Sequence, residues 1–232
     1  MEDTALTIQR LHRGGAFRHS MQHKRPGNKD MPLQNRVNPE GVICHSSARG
    51  TLMGNRGCLH DDKQNITSTS KRDAWVTCLL AFKGRKRPLM KPGQYTELFF
   101  LDEATALAAG HRPCAECRRE RYKAFLAAWP ETGAKAGDVD VTLKGERVKG
   151  SRKVMSADQL STLPDGVLVK HLGSGHFYLL HGGEAYPWSF SGYGARERLQ
   201  SLSGNFQLLT PASTVAALKN GYRPDIHPSV VV

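Results

Sequence analysis

The sequence predicts an α+β fold. Three observations carry that reading: strand-like runs beside capped helical stretches in the middle of the chain, glycine-separated strand patterns after residue 160, and 39% hydrophobic residues in 232, enough to fill a core.

Residues 1–30 scatter Arg, His, Gly and Lys with no apolar period and include the breaker run Lys24-Arg25-Pro26-Gly27-Asn28, so they are expected to be a disordered extension. The composition shift at Met31 marks an expected alternative start. Residues 42–60, with Gly50, Gly54 and Gly57 around Asn55 and Arg56, predict a tightly bending loop. The β-branched and aromatic runs at 75–82 and 97–101 predict two strands, joined through the basic loop Lys83-Gly84-Arg85-Lys86-Arg87-Pro88. Asp102 is a cap for a helix over 103–109, Glu103 complements its positive end, and Gly110 supplies the left-handed stop. A second helix over 116–129 aligns Tyr122, Phe125, Leu126 and Trp129 on one stripe and ends at Pro130.

The polar stretch 131–155 predicts a linker or a mobile β-loop. Strands at 166–172 and 176–181 flank Gly173-Ser174-Gly175 as a hairpin, further strands fall at 185–190 and 205–209, and a helix runs from Thr210-Pro211 to Gly221. The division expected is an extension over 1–30, a zinc-bearing α/β region over 31–135 and a mostly β region over 136–232. No repeat, heptad or low-complexity tract redirects this reading.

The net charge is +12, split +3, +7 and +2 over those three regions, so the middle carries the excess and attracts polyanions. There Cys114-Ala115-Glu116-Cys117 forms a C-x-x-C knuckle, stiffened by Pro113 and followed at once by Arg118, Arg119, Arg121 and Lys123. Two thiolates two residues apart can turn toward one tetrahedral ion, and zinc is the metal expected. An odd count of five cysteines suits a disulfide framework badly, and no run reaches the length of a membrane span, so a reduced, cytoplasmic setting without membrane contact is expected.

The run Gly110-His111-Arg112-Pro113-Cys114-Ala115-Glu116-Cys117-Arg118, preceded by Phe99-Phe100 and an alanine-rich helix, resembles the Ada-type metal-binding domain found in DNA-alkylation response proteins. The resemblance is strong over residues 98–119 and weak over 72–130. It implies zinc held by four thiolates, two of them from an earlier strand and turn, and DNA as partner. Here the corresponding strand offers Cys78 alone, so Cys58 or His60 are the favoured fourth ligands, with His45, Cys44 and His111 behind them.

Two classes of function follow. One is a zinc-containing protein that binds nucleic acid, DNA above all, through Lys83, Arg85, Lys86, Arg87, Arg112, Arg118, Arg119, Arg121 and Lys123. The other is a DNA-processing enzyme, either a metal-dependent phosphodiesterase using His60 and Asp61 or a repair protein whose Cys78 thiolate accepts alkyl groups. A protein-interaction module with purely structural zinc is a third reading. No phosphate-binding loop, dinucleotide fingerprint or serine-hydrolase elbow is present.

Overall fold

A computed structural model describes residues 31–84, 88–147 and 152–231. Residues Pro32–Val232 form one compact unit with the expected α+β content; the expected extension over 1–30 lies outside the described residues. The first sheet contains β1 (Gln34–Val37), β2 (Ile43–His45), β3 (Leu52–Asn55), β4 (Val76–Cys78), β5 (Leu98–Phe100) and β6 (Arg112–Pro113), in the order β2-β1-β5-β3-β4-β6. β1 with β5 and β4 with β6 pair parallel, and the other neighbours antiparallel.

The second sheet is antiparallel: β7 (Val154–Ser156), β8 (Val167–His171), β9 (Phe177–His181), β10 (Glu184–Ser189), β11 (Gly192–Tyr193), β12 (Glu197–Arg198) and β13 (Asn205–Leu208). Its order is β11-β10-β9-β8-β13-β7, with β12 paired to β10. The hairpin of β8 and β9 is the one the glycine turn predicts. Both faces of this sheet are covered. Val167, Val169 and Leu180 face a core built with α2 (Arg119–Ala127), α3 (Ala136–Glu146) and α4 (Ala212–Lys219). The alternating Leu168 and Leu179 face α1 (Glu103–Ala108) on the other side.

Every residue of α1 is buried. Ala104 and Ala108 pack toward the second sheet while Ala106 and Ala109 pack toward the first, so alanine lets two sheets approach one helix. Asp102 caps it as expected, accepting from the Thr105 backbone N–H at 2.8 Å, and Gly110 takes the left-handed stop at φ +80°.

Three expectations need correction. Residues 42–60 are not one bending loop, because they hold β2 and β3. Gly54 sits inside β3, where a Cβ would come within 2.3 Å of the Phe100 ring; its role is close approach, not turning. The stretch 131–155 contains α3, whose Val139 and Leu143, four residues apart, are fully buried. Gly137, Gly145 and the surrounding charges conceal that helix from propensity. Finally, α2 begins at Arg119, not 116, because residues 115–118 are a turn.

Candidate metal centre

Parallel pairing of β4 and β6 builds the site. Val76 is in register with Arg112 and Thr77 with Pro113, so Cys78 and Cys114 leave the same end of adjacent strands, with the Cys114 N–H donating to Thr77 O at 2.9 Å. Strands in register lie about 4.8 Å apart. The turn after Cys114 closes with Arg118 N–H on Cys114 O at 3.1 Å and folds Cys117 back toward the other two. The sulfurs of Cys78, Cys114 and Cys117 all lie within 4.8 Å of one another, and this is the single metal-capable group found among the described residues.

This donor set suits zinc. Zinc–sulfur bonds of about 2.3 Å at tetrahedral angles put sulfurs about 3.8 Å apart, so small side-chain rotations close a triad within 4.8 Å on one ion. The electrostatics ask for a cation. The Cys114 thiol is drawn down to about 5 by a hydrogen bond from Cys78 and by the backbone N–H groups of Cys117 and Glu116, the latter 3.4 Å from its sulfur. Cys78 is pushed above the ordinary thiol range by its hydrogen bond to Cys114, by burial and by the charge of its two neighbours, and burial also raises Cys117. Three thiolates this close ionise together only with a positive ion among them.

The other residues singled out from the sequence go elsewhere. The Cys58 thiol donates to His60 O at 3.8 Å and lies outside the triad. His60 is buried, with Nδ1 2.6 Å from Thr96 Oγ1 and Nε2 3.3 Å from Lys91 O. Asp61 Oδ1 accepts from the backbone N–H groups of Lys63 and Asn65, each at 2.9 Å, as the hinge of a turn. His111 is fully buried between Phe100 and Trp75, and its Nε2 accepts from Arg56 Nε at 3.1 Å.

The arginines divide sharply. Arg112 is buried and bidentate to Asp140 at 2.9 and 2.7 Å. Arg118, its side chain 3% exposed, contacts Glu103 at 2.9 Å, Asp225 at 3.0 Å and Thr77 Oγ1 at 3.0 Å. Arg121 also pairs with Glu103. Arg112 and Arg118 are neutralised inside the protein, and Arg121, half-buried, is paired to the same carboxylate as Arg118. Arg119 is exposed, Lys123 is exposed beside Glu120, and exposed Lys83 lies 5.1 Å from the Phe82 ring centroid; Arg85, Lys86 and Arg87 lie outside the described residues. Glu103 and Asp225, which anchor the knuckle's arginines, escaped the sequence reading. Glu103 looked like a helix-end charge, and nothing local links residue 118 to residue 225.

A groove of about 430 Å³ borders the triad, with Cys117, Leu52, Leu79, Arg119 and Asp225 in its wall. Among the described residues no helix is long and apolar enough to cross a membrane.

His111 gives this region a pH dependence. Burial, then the charges of Arg56 and Arg147, hold its imidazole well below the ordinary value of 6.5, so the folded protein keeps it neutral while the unfolded chain protonates it. The folded pKa is depressed, so this stability is present above pH 6.5 and is lost as pH falls. Urea unfolding at pH 5.5 should show up to about 1.4 kcal/mol less stability from this group than at about pH 8, roughly 0.4 of it already lost by pH 6.5. His111→Gln should flatten that slope, and an unchanged slope would contradict the assignment.

Comparison of the chain with protein-family models, with curated proteins and with solved structures finds no match.

Proposed function

We propose that the chain is a zinc-thiolate protein that docks on nucleic acid, DNA above all, in the reducing cytoplasm. The observation that carries this reading is the convergence of three cysteine sulfurs, from two parallel strands and a turn, at the head of α2. A metal there fixes the start of a helix that presents Arg119 and Lys123 to solvent. The net charge of +12 and the resemblance to the Ada-type domain support a polyanionic partner. Docking then rests on the exposed Arg119, Lys123 and Lys83, while Arg112, Arg118 and Arg121 hold the knuckle together from within.

Three phosphate contacts give a slope of log affinity against log salt of about −3. Fluorescence anisotropy with unrelated DNA duplexes, single-stranded DNA and RNA reads that slope. Arg119→Ala should weaken all DNA sequences alike and reduce the slope by about one. Absent or salt-insensitive binding would remove nucleic acid and leave an interaction module built on structural zinc.

A second reading, acceptance of an alkyl group by a metal-held thiolate, is favoured by the groove beside Cys117. A dication bound by three thiolates carries net negative charge, which keeps sulfur nucleophilic and makes the ion a weak activator of water. That argues for sulfur chemistry over hydrolysis. It also favours the groove-lining Cys117 over the deeper Cys78 as acceptor. Phosphodiester cleavage by His60 and Asp61 draws little support, since His60 is held by Thr96 and Lys91 while Asp61 accepts from the backbone of its own turn.

A further inference from the structure

Three thiols gathered within 4.8 Å of one another are a redox site as well as a donor set. Cys114 and Cys117 belong to a single turn, closed by Arg118 N–H on Cys114 O at 3.1 Å. Such a turn keeps residues three apart within about 7 Å between Cα atoms, and a disulfide bridges about 4.4–6.8 Å. Of the three cysteines, Cys117 lines the groove of about 430 Å³. The charges of that lining balance, Arg118, Arg119 and Arg121 against Glu116, Glu120 and Asp225. A wall of this kind favours neither an anion nor a cation, and Leu52 and Leu79 add apolar surface, so a small neutral molecule is what it admits best.

We propose that Cys117 is an oxidation site, at which a neutral hydroperoxide entering through this groove drives closure of a Cys114–Cys117 disulfide. In the first step the Cys117 sulfur attacks a peroxide oxygen: a sulfur–oxygen bond forms, the oxygen–oxygen bond breaks, and a sulfenic acid and one water result. In the second the Cys114 sulfur attacks the Cys117 sulfur and expels its oxygen as another water. Two thiols thus lose two electrons and two protons, and hydrogen peroxide is reduced to two waters. Glu116 N–H, donating to the Cys114 sulfur at 3.4 Å, stabilises the negative charge with which that sulfur attacks. Neither step involves an ion. The consequence does touch the metal reading, because the disulfide removes two of the three thiolates on which a bound metal would depend.

The test treats the full chain with hydrogen peroxide, with and without a chelator, and maps its cysteines by mass spectrometry after blocking free thiols. A Cys114–Cys117 link that dithiothreitol reverses should form in the chelated chain. It should appear at least about ten-fold faster than any oxidation of Cys44 or Cys58, because only the clustered thiols have a second sulfur at hand; those two stand apart, each turned to a carbonyl oxygen, at 3.6 and 3.8 Å. When Cys78→Ser and Cys114→Ser are combined, dimedone should trap a sulfenic acid at Cys117. A disulfide made through Cys78, dimedone labelling confined to other cysteines, or five cysteines oxidised at one rate would overturn the proposal. A chain that holds zinc yet forms no such bond after chelation overturns this inference alone, whereas a chain that forms the bond and never holds zinc overturns the zinc reading alone.

Discussion

On the zinc reading proposed above, Cys114→Ser should abolish stoichiometric metal: the wild-type chain should purify with about one ion and the variant with less than a tenth of that, an affinity loss of at least 100-fold. The effect is largest here because Cys114 is the joint of the site. Its backbone N–H extends the β4–β6 pairing, its carbonyl closes the turn, and its sulfur receives the Glu116 N–H. Stability should follow the metal. With free zinc about a thousand times its dissociation constant, binding adds about 4 kcal/mol, so a chelator should lower the wild-type Tm by about 8–16 °C. The Cys114→Ser chain should ignore the chelator. It should also keep its far-ultraviolet circular dichroism, because both sheets pack on α1 and on the α2–α4 core without needing an ion. A wild-type Tm that does not respond to chelation, together with unchanged zinc in the variant, would show that the triad is three thiols and nothing more.

Glu103→Ala should cost about 3–5 kcal/mol, the penalty for leaving a buried charge without its partner, which for a unit of this size lowers Tm by about 6–20 °C. Glu103 is fully buried and serves four groups: Arg118 at 2.9 Å, Arg121, the Tyr222 hydroxyl at 2.6 Å and the Asp225 N–H at 2.9 Å. Removal leaves the Arg118 guanidinium, whose side chain is 3% exposed, with the largely exposed Asp225 as its one remaining counter-charge. Glu103→Gln keeps the shape and two of the hydrogen bonds and should fall between wild type and alanine. Burial pushes the Glu103 carboxyl up, but Arg118, Tyr222 and Arg121 outweigh it and hold it below its ordinary 4.5. Its folded pKa is depressed, so the stabilisation is full above pH 4.5 and fades as pH falls. The gap between wild type and Glu103→Ala should therefore narrow in acid. A cost under about 1 kcal/mol at pH 7 would mean the carboxylate is not what fixes the knuckle.

The two variants separate the ion from the scaffold. Cys114→Ser should lose metal and keep the fold, whereas Glu103→Ala should weaken the fold around an intact set of thiols.

Features set by neighbours in the chain were legible before any coordinates. The Asp102 cap, the Gly110 stop, the hairpin of β8 and β9, the start of α4 after Pro211 and the pairing of Cys114 with Cys117 all depend on residues within a few positions of one another. β3 was hidden because its Gly54 serves packing against Phe100, which lies 46 residues away in sequence. α3 was hidden because tertiary burial of Val139 and Leu143 overrides weak helical propensity. The basic run after Cys117 was visible as charge, yet its commitment was not, since the carboxylate that meets Arg118 is contributed 107 residues later by Asp225.

By itself, the sequence determined the fold class, the thiol knuckle and a positive surface, because propensity, spacing and charge are properties of short segments. Only the tertiary structure decided that Cys78 joins the knuckle while Cys58 does not, and that Arg112 and Arg118 are internal struts and Arg121 is ion-paired while Arg119 faces solvent. The reason is physical: a coordination shell and a buried ion pair are set by distances of a few ångströms between atoms, and chain separation carries no information about them until strands pair and the core closes.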